Sequence, residues 1–194
     1  MKTPKTRFSL IKDAVWKRIS RGIGDHLNKP NFLKNKALQL DIQDWSITID
    51  SYTSNKTLHT RFRAPFINDE KLSIKIFTKG MLGSEMKFFG MQDIIVGHPD
   101  IDEKYIIQGN KNNILKGIFE SVLLRKLMMD QKELLIQVKD DEGWFGEATK
   151  KPEYELYVEV PYLIKDNEQL TAVFTIFSEI LSFLCDNSPA YFVK

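Results

Sequence analysis

The chain has 194 residues, of which 42% are hydrophobic and 28% are charged. This length can bury a sizeable core, and the composition is typical of a globular protein, which excludes an intrinsically disordered chain. The single cysteine, Cys185, excludes an internal disulfide and favours a reducing compartment. The amino terminus lacks the apolar run of a signal peptide, and the longest apolar stretch, residues 173–184, is shorter than the roughly 20 residues of a membrane span. We therefore expect a soluble cytoplasmic protein without a transmembrane segment.

The net charge of +2 is unevenly distributed along the chain. Residues 1–36 contain ten Lys or Arg against two Asp or Glu, whereas residues 37–194 contain eighteen against twenty-four. This asymmetry indicates either an anionic partner for the first segment or docking of that segment on an acidic body. We therefore expect a basic helical segment, residues 1–36, followed by a single domain, residues 37–194.

The first predicted element is an amphipathic helix over residues 6–24. Apolar residues recur along it at spacings of three and four, at Phe8, Ile11, Val15, Ile19 and Ile23. Three bases lie on the other side and are candidates for binding an anion or a partner: Lys17, Arg18 and Arg21. Such a helix can pack on the domain through its apolar stripe, or it can bind a partner protein or an anionic surface.

The region from residue 37 to residue 79 is predicted to form an antiparallel meander. Apolar and polar residues alternate over residues 45–52, 58–66 and 72–79, which is typical of strands with one buried face. Residues 54–56 and 68–70 are rich in Asn and Asp and are predicted to form the turns.

The polar positions of this meander include a row of basic residues. On the predicted strands they are His59, Arg61, Arg63 and Lys75. A basic sheet face can hold phosphates, but the row lacks the stacking aromatics of sheets that bind nucleic acid, so a nucleic-acid partner is disfavoured. Glu155 and Glu159, which share one face of a later strand, can pair with the row instead. We favour internal pairing, with Arg61, Arg63 and Lys75 kept as candidates for anion binding.

The remaining predicted elements alternate between strands and helices. Strands are predicted over residues 105–108, 133–139 and 154–160, with one or two helices over residues 110–130. Those helices are expected to bury Leu115, Ile118, Phe119, Val122 and Leu123. A last helix opens with Asp166 and Gln169 at capping-box spacing and has a wide apolar face. The predicted class is α+β: a mainly antiparallel sheet, built as a meander followed by β-α-β-β-α, with an amino-terminal amphipathic helix and a long carboxy-terminal helix packed on the sheet.

Residues 90–111 hold most of the conspicuous polar side chains. Four of them can supply metal ligands: Asp93, His98, Asp100 and Asp102. One alternative is therefore a hydrolase that uses the acidic residues 93–103, with or without a divalent metal. The spacing matches no known ligand framework, however, and Pro99 and the aspartates are typical of a turn. We favour a strand, a Gly-x-Pro turn and a second strand, with the acids holding the turn.

The sequence lacks the common cofactor-binding and catalytic motifs. It contains no P-loop, no GxGxxG, no GxSxG elbow and no CxxC. We therefore predict no cofactor and favour a non-enzymatic binding or interaction module. The alternatives are the hydrolase and a module that binds anions or nucleic acid through the basic sheet face.

Four segments carry a resemblance to known proteins: TRFRAPF (60–66), FFGMQDIIVGHPDIDEKYIIQGN (88–110), DDEGWFG (140–146) and ELYVEVPYLIKDNEQL (155–170). In these segments the chain resembles an uncharacterised bacterial protein family and is distantly similar to a bacterial domain family of unknown function. The resemblance implies a bacterial protein and brings no activity, cofactor or catalytic residue. Members of the family tend to read G-D-P-x-F-D where this chain reads GHPDID over residues 97–102. His98 is therefore implied to be peculiar to this chain, which weakens it as a metal ligand.

Overall fold

The computed structural model describes residues 37–42, 45–68, 71–81, 93–140, 153–187 and 190–191. The predicted basic segment 1–36 lies outside these residues, and with it the predicted amphipathic helix and the candidates Lys17, Arg18 and Arg21. The division of the chain into this segment and one domain therefore stays a prediction.

The described residues form eight strands, four α-helices and one 3₁₀ turn. In chain order they are β1 (Leu38–Ile42), β2 (Trp45–Ser54), β3 (Thr57–Asn68), β4 (Ile74–Thr78), the 3₁₀ turn (Lys79–Met81), α1 (Pro99–Lys104), β5 (Tyr105–Gly109), α2 (Asn112–Ile118), α3 (Val122–Asp130), β6 (Leu135–Asp140), β7 (Glu153–Val160), α4 (Asn167–Asn187) and β8 (Ala190–Tyr191). Four strands come first, and helices interrupt the later strands, as in an α+β protein.

All eight described strands belong to one antiparallel sheet. Seven lie in the order β1-β2-β3-β7-β6-β4-β5, and β8 pairs with the end of β3. Each neighbouring pair runs antiparallel. The predicted α+β class and the antiparallel sheet are therefore confirmed.

The hairpin between β2 and β3 sets the register of the first half of the sheet. Its two turn residues, Asn55 and Lys56, have φ angles of 48° and 67°. Two positive φ angles are what a two-residue hairpin turn of type I′ requires, and asparagine adopts them readily. Ser54 therefore pairs with Thr57, and the predicted turn at residues 54–56 is confirmed.

The predicted meander is correct for its first strands and wrong for its last. Strand β4 does not pair with β3, because β7 and β6 lie between them. All five residues of β4 are buried, as expected for a strand with neighbours on both sides. Alternation along a segment predicts a strand but does not identify its neighbour, so the pattern at residues 72–79 was compatible with either position.

Helices cover one face of the sheet. The ring of Phe62 on β3 lies 6.5 Å from the ring of Phe174 and 6.0 Å from that of Phe177, both on α4. The buried residues of α4 are Leu170, Val173, Phe174, Ile176, Phe177, Ser178, Ile180, Leu181 and Leu184. Burial of a large apolar side chain stabilises a fold by about 1.5–3 kcal/mol. The predicted packing of the long carboxy-terminal helix on the sheet is therefore confirmed.

Helix α4 is the one described helix that is long and apolar enough to cross a membrane. Half of its most apolar window is buried inside the protein, and its buried side chains belong to the core under the sheet. We therefore assign α4 as a core helix. The described residues contain no clear transmembrane segment.

The predicted helical region 110–130 divides into α2 and α3. Ser121 caps α3, because its Oγ accepts a hydrogen bond from the backbone N–H of Leu124 (3.2 Å). The helical periodicity restarts at this cap, so that Leu124 and Met128 face the core. Val122 is 71% exposed and Leu123 is 50% exposed. The prediction that these two residues are buried is therefore wrong.

Candidate functional site

The acidic stretch 93–103 is organised by Asp102. Its Oδ1 accepts a hydrogen bond from the backbone N–H of Val96 (2.9 Å), and its Oδ2 accepts one from Gly97 (3.0 Å). Gly97 has a φ of 92°, which glycine adopts at little cost, and α1 begins at Pro99. The prediction that the Gly-x-Pro turn leads directly into a strand is wrong, because α1 lies between the turn and β5. Asp102 does hold the backbone of this turn.

The other three candidate metal ligands lie in separate surroundings. Asp93 accepts a hydrogen bond from Nε2 of Gln108 (2.8 Å) and forms an isolated bridge with it beside β5. Nε2 of His98 lies 3.3 Å from Nη1 of Arg125, and Asp100 is exposed on α1. In the described part of the chain, no group of three or more His, Cys, Asp or Glu residues is arranged to hold a metal ion. The structure does not bring the four candidates together.

The sheet face opposite the helices carries the predicted basic row within a larger set of polar side chains. We call this set the polar-face cluster: Asp50, Tyr52, His59, Arg61, Arg63, Glu155, Tyr157 and Glu159. Arg61 binds Asp50 through Nε–Oδ1 (2.6 Å) and Nη2–Oδ2 (3.0 Å), and Nη2 of Arg63 donates to Oδ2 of Asp50 (2.8 Å). The hydrogen bond with Asp50 raises the pKa of Arg61. Both arginines are therefore already bound to a carboxylate.

Glu159 is the acceptor at the centre of the other half of the cluster. Its carboxylate accepts a hydrogen bond from Oη of Tyr52 (2.7 Å), lies 2.8 Å from Nδ1 of His59, and accepts a third hydrogen bond from Oη of Tyr157. Burial is the main cause that raises the pKa of Tyr157 and that of Tyr52. Both phenols therefore stay protonated at neutral pH and act as donors to Glu159 rather than as bases.

The polar-face cluster is not a basic surface. It contains two arginines against three carboxylates, and Nη1 of Arg63 lies 3.9 Å from Oε2 of Glu155, as internal pairing predicts. The third predicted cation, Lys75, does not extend the row, because β7 and β6 separate β4 from β3. Lys75 is buried, and its Nζ lies 5.6 Å from the centre of the Phe77 ring.

Cys185 is placed as a core residue and not as a nucleophile. It packs against the main core, and burial raises the pKa of its thiol to about 12. A thiol with this pKa is almost entirely protonated at neutral pH, whereas thiol catalysis uses the thiolate.

A groove lies between α3 and α4, and we call it the α3–α4 groove. Its volume is about 1030 Å³, and Leu123, Leu127 and Ala172 contribute its apolar lining. The two helices run in opposite directions along it. Oγ of Ser121, at the start of α3, lies 3.5 Å from Oε2 of Glu179 in the middle of α4.

The other end of the groove is fixed by polar contacts around the end of α3. Oη of Tyr162 donates to Oε1 of Gln131 (3.2 Å), whose Nε2 donates to the carbonyl of Leu127 (3.1 Å). Nζ of Lys104 donates to the carbonyls of Met129 and Gln131, both at 2.5 Å. These bonds satisfy carbonyl groups that the end of a helix leaves without partners, and they hold the wall of the groove in place.

The groove was missed in the sequence because the apolar residues that line it were assigned to the core. The helical pattern of residues 110–130 predicts that Leu123 is buried, and the wide apolar face of α4 predicts only its contact with the sheet. The one available signal was Ser121, a strong helix-capping residue in the middle of the predicted helical region. A helix that restarts there turns Leu123 away from the side that carries Leu124 and Met128.

Comparison with known proteins adds no relative. No protein-family model, no curated protein and no solved structure matches the chain. The resemblance to a bacterial family therefore stays a prediction, and function is argued from the described residues.

Proposed function

We propose that this chain is a non-enzymatic protein-interaction module that binds a helical segment of a partner protein in the α3–α4 groove. The observation that carries the proposal is the exposed Leu123 at the edge of an apolar-lined groove between two helices. Packing of an amphipathic helix into an apolar groove is a recurring mode of peptide recognition.

The side chains along the groove have the spacing that helix packing uses. On α3, Leu123, Leu127 and Asp130 follow one another at intervals of four and three residues, and on α4 Glu168, Ala172 and Thr175 do the same. Residues at these intervals form ridges on a helix surface, and a third helix packs its own ridges between them. The small side chain of Ala172 leaves room for a close approach.

Three carboxylates at the positions considered for chemistry support binding rather than catalysis. Asp102 accepts hydrogen bonds from two backbone N–H groups, and Asp50 accepts them from two arginines. Glu159 is hydrogen-bonded to three side chains. A catalytic acid or base has to exchange a proton with a substrate, and these carboxylates are already committed to internal donors. For Asp102 this favours binding over the hydrolase alternative at residues 93–103, which stays a prediction.

A selection experiment tests the proposal without knowledge of the natural partner. Helical peptides are selected from a display library against the full chain, and the affinity of the selected peptides is then measured for two variants. Leu123→Glu places a charge at the edge of the groove, and Ile95→Glu is the matched control, since Ile95 is also highly exposed but is not among the residues that line the groove.

We expect the selected peptides to lose about tenfold or more in affinity for Leu123→Glu and to bind Ile95→Glu as they bind the wild type. Equal affinity for the three proteins would show that the groove is not the binding surface. A selection that yields no binding peptide would also count against the proposal.

We also propose a bacterial cytoplasmic setting, with the basic segment 1–36 as a second route to a partner protein or an anionic surface. The free thiol of Cys185, the resemblance to a bacterial family and the charge of the segment support this. Binding to vesicles that contain anionic lipid tests the second route. Replacement of Lys17, Arg18 and Arg21 by Glu is expected to abolish binding, and vesicle binding unchanged by this charge reversal would contradict it.

A further inference from the structure

The α3–α4 groove has an acidic end and an apolar end. Asp130 is the last residue of α3, Asp166 directly precedes α4, and Glu168 lies in the first turn of α4. Lys132 is the single cation among the described residues that line the groove. Because the helices are antiparallel, these charges gather at one end, and Leu123 lies toward the other.

The acidic end is not explained by the stability of the helices alone. The Oδ1 of Asp166 accepts a hydrogen bond from the backbone N–H of Gln169 (2.8 Å), so Asp166 is a helix cap. Asp130, by contrast, occupies the carboxyl end of α3, where the helix dipole disfavours a negative charge, and it is exposed within electrostatic range of Lys104. Glu168 is exposed at the rim. Asp130 and Glu168 are therefore exposed carboxylates that do not cap a helix, and a bound cation would meet Glu168 first and would share Asp130 with Lys104.

Resting on the proposed function, we infer that the groove binds a cationic amphipathic helix of a partner protein. Its apolar residues, spaced by three and four, would lie over Leu123, Leu127 and Ala172, and its Lys or Arg residues would cluster at the end that meets Asp130 and Glu168. Helix α3 has nine residues, a length of about 13 Å, so the groove accommodates about two and a half turns.

The charge at the acidic end also selects against other ligands. An acidic helix or a phosphate-rich surface would place like charges against three carboxylates, and such a contact lowers affinity for the wrong partner. A cation at the rim remains partly solvated, so each pair changes affinity only a few fold and the effect weakens with salt. Apolar contact therefore supplies most of the affinity, and charge decides which helix binds.

The test uses a synthetic peptide with the sequence of residues 6–24, because it combines the apolar spacing with three basic residues, Lys17, Arg18 and Arg21. It is titrated into the full-length chain at low and at high salt. The test variant is the double substitution Asp130→Asn with Glu168→Gln, and the matched control is Asp100→Asn with Glu103→Gln, which neutralises two exposed acids of α1.

We expect the peptide to bind the wild type and the α1 control equally and to bind the groove variant about three- to tenfold more weakly at low salt. The difference should shrink at high salt. A peptide in which the three basic residues are replaced by Glu should bind the wild type more weakly than the original.

Three outcomes would overturn the inference. The first is that the charge-reversed peptide binds as well as the original. The second is that the two double variants bind the peptide with equal affinity. The third outcome is that the peptide binds only to a full-length variant whose own Lys17, Arg18 and Arg21 are replaced by Glu, which would assign the groove to the chain itself. If display-selected helices depend on Leu123 but are neutral or acidic, the protein-interaction function stands and the inference about charge fails.

Discussion

The polar-face cluster and the α3–α4 groove use charged side chains in opposite ways. In the cluster, Asp50 binds two arginines and Glu159 accepts hydrogen bonds from its neighbours, so each carboxylate is satisfied inside the protein. At the groove, Asp130 and Glu168 are exposed beside an apolar surface. A conspicuous set of charges can therefore be structural, whereas two exposed carboxylates in a groove with one exposed leucine, Leu123, are better placed to contact another molecule.

The first way to test this contrast is to remove one glutamate from each region. Glu159→Ala leaves Tyr52, His59 and Tyr157 without their buried acceptor, and we expect a loss of about 3–5 kcal/mol in the free energy of unfolding. Glu168→Ala removes an exposed side chain and should change it by less than about 0.5 kcal/mol. Urea denaturation measures the free energy of unfolding of both variants. Similar losses would show that the two regions do not differ in how they use their carboxylates.

Neighbouring leucines on α3 sharpen the boundary between core and groove. Leu124 is 1% exposed, and we expect Leu124→Ala to lower the free energy of unfolding by about 2–5 kcal/mol. Leu123→Ala should cost less than about 0.5 kcal/mol because Leu123 is half exposed. Thermal and urea unfolding provide the measurement. A large loss for Leu123→Ala would place it in the core and remove the main support for the groove.

Alkaline pH provides a weaker test that is specific to the polar-face cluster. Burial, reinforced by the hydrogen bond to Glu159, raises the pKa of Tyr157 above its ordinary value of 10.0. The folded state therefore holds a proton that the unfolded state loses first. The contribution of Tyr157 is fully present below pH 10 and is lost as the pH rises through the raised folded pKa, by up to about 1.4 kcal/mol per pH unit.

We expect the free energy of unfolding to fall less steeply above pH 10 in Tyr157→Phe than in the wild type. Urea denaturation at a series of alkaline pH values measures the two slopes. Other buried groups, among them Tyr105 and Cys185, contribute to both proteins and cancel in the comparison. Identical slopes would show that Tyr157 does not hold its proton in the folded state.

The smallest expected effect concerns the acidic stretch, which we group with the internally satisfied charges. Because Asp102 is occupied by backbone N–H groups and Asp93 by Gln108, we expect Mg²⁺, Mn²⁺ or Zn²⁺ to leave the midpoint of thermal unfolding unchanged within about 1 °C. If the midpoint rises with metal concentration in the wild type but not in Asp93→Asn, this stretch binds metal and the prediction is wrong.

Local patterns in the sequence predicted the elements better than their arrangement. Alternation located β2, β3 and β7, and the wide apolar face of α4 correctly predicted a helix packed on the sheet. The neighbours of β4 were missed, because the pairing of strands distant in sequence depends on the whole sheet and not on the alternation of one segment. The fold class was therefore predictable, whereas the strand order was not.

The polar partners show the same limit, with one exception. The contact between Asp50 and Arg61 follows from the hairpin turn at Asn55 and Lys56, since a two-residue turn places these positions opposite each other. It was therefore within reach of sequence reasoning. The groove was not, because it depends on how α3 and α4, which are far apart in the sequence, come to lie side by side.

The insertion of β7 and β6 between β3 and β4 also has a consequence for the order in which the chain is made. Synthesis proceeds from the amino terminus, so β3 and β4 are both complete long before Glu153–Val160 leaves the ribosome. Until then, β3 keeps one edge that β7 has not yet filled, and so does β6, the strand that pairs with β4. A nascent chain paused at this stage presents unpaired backbone groups, the surface through which sheet proteins aggregate, and β7 is the strand that closes it.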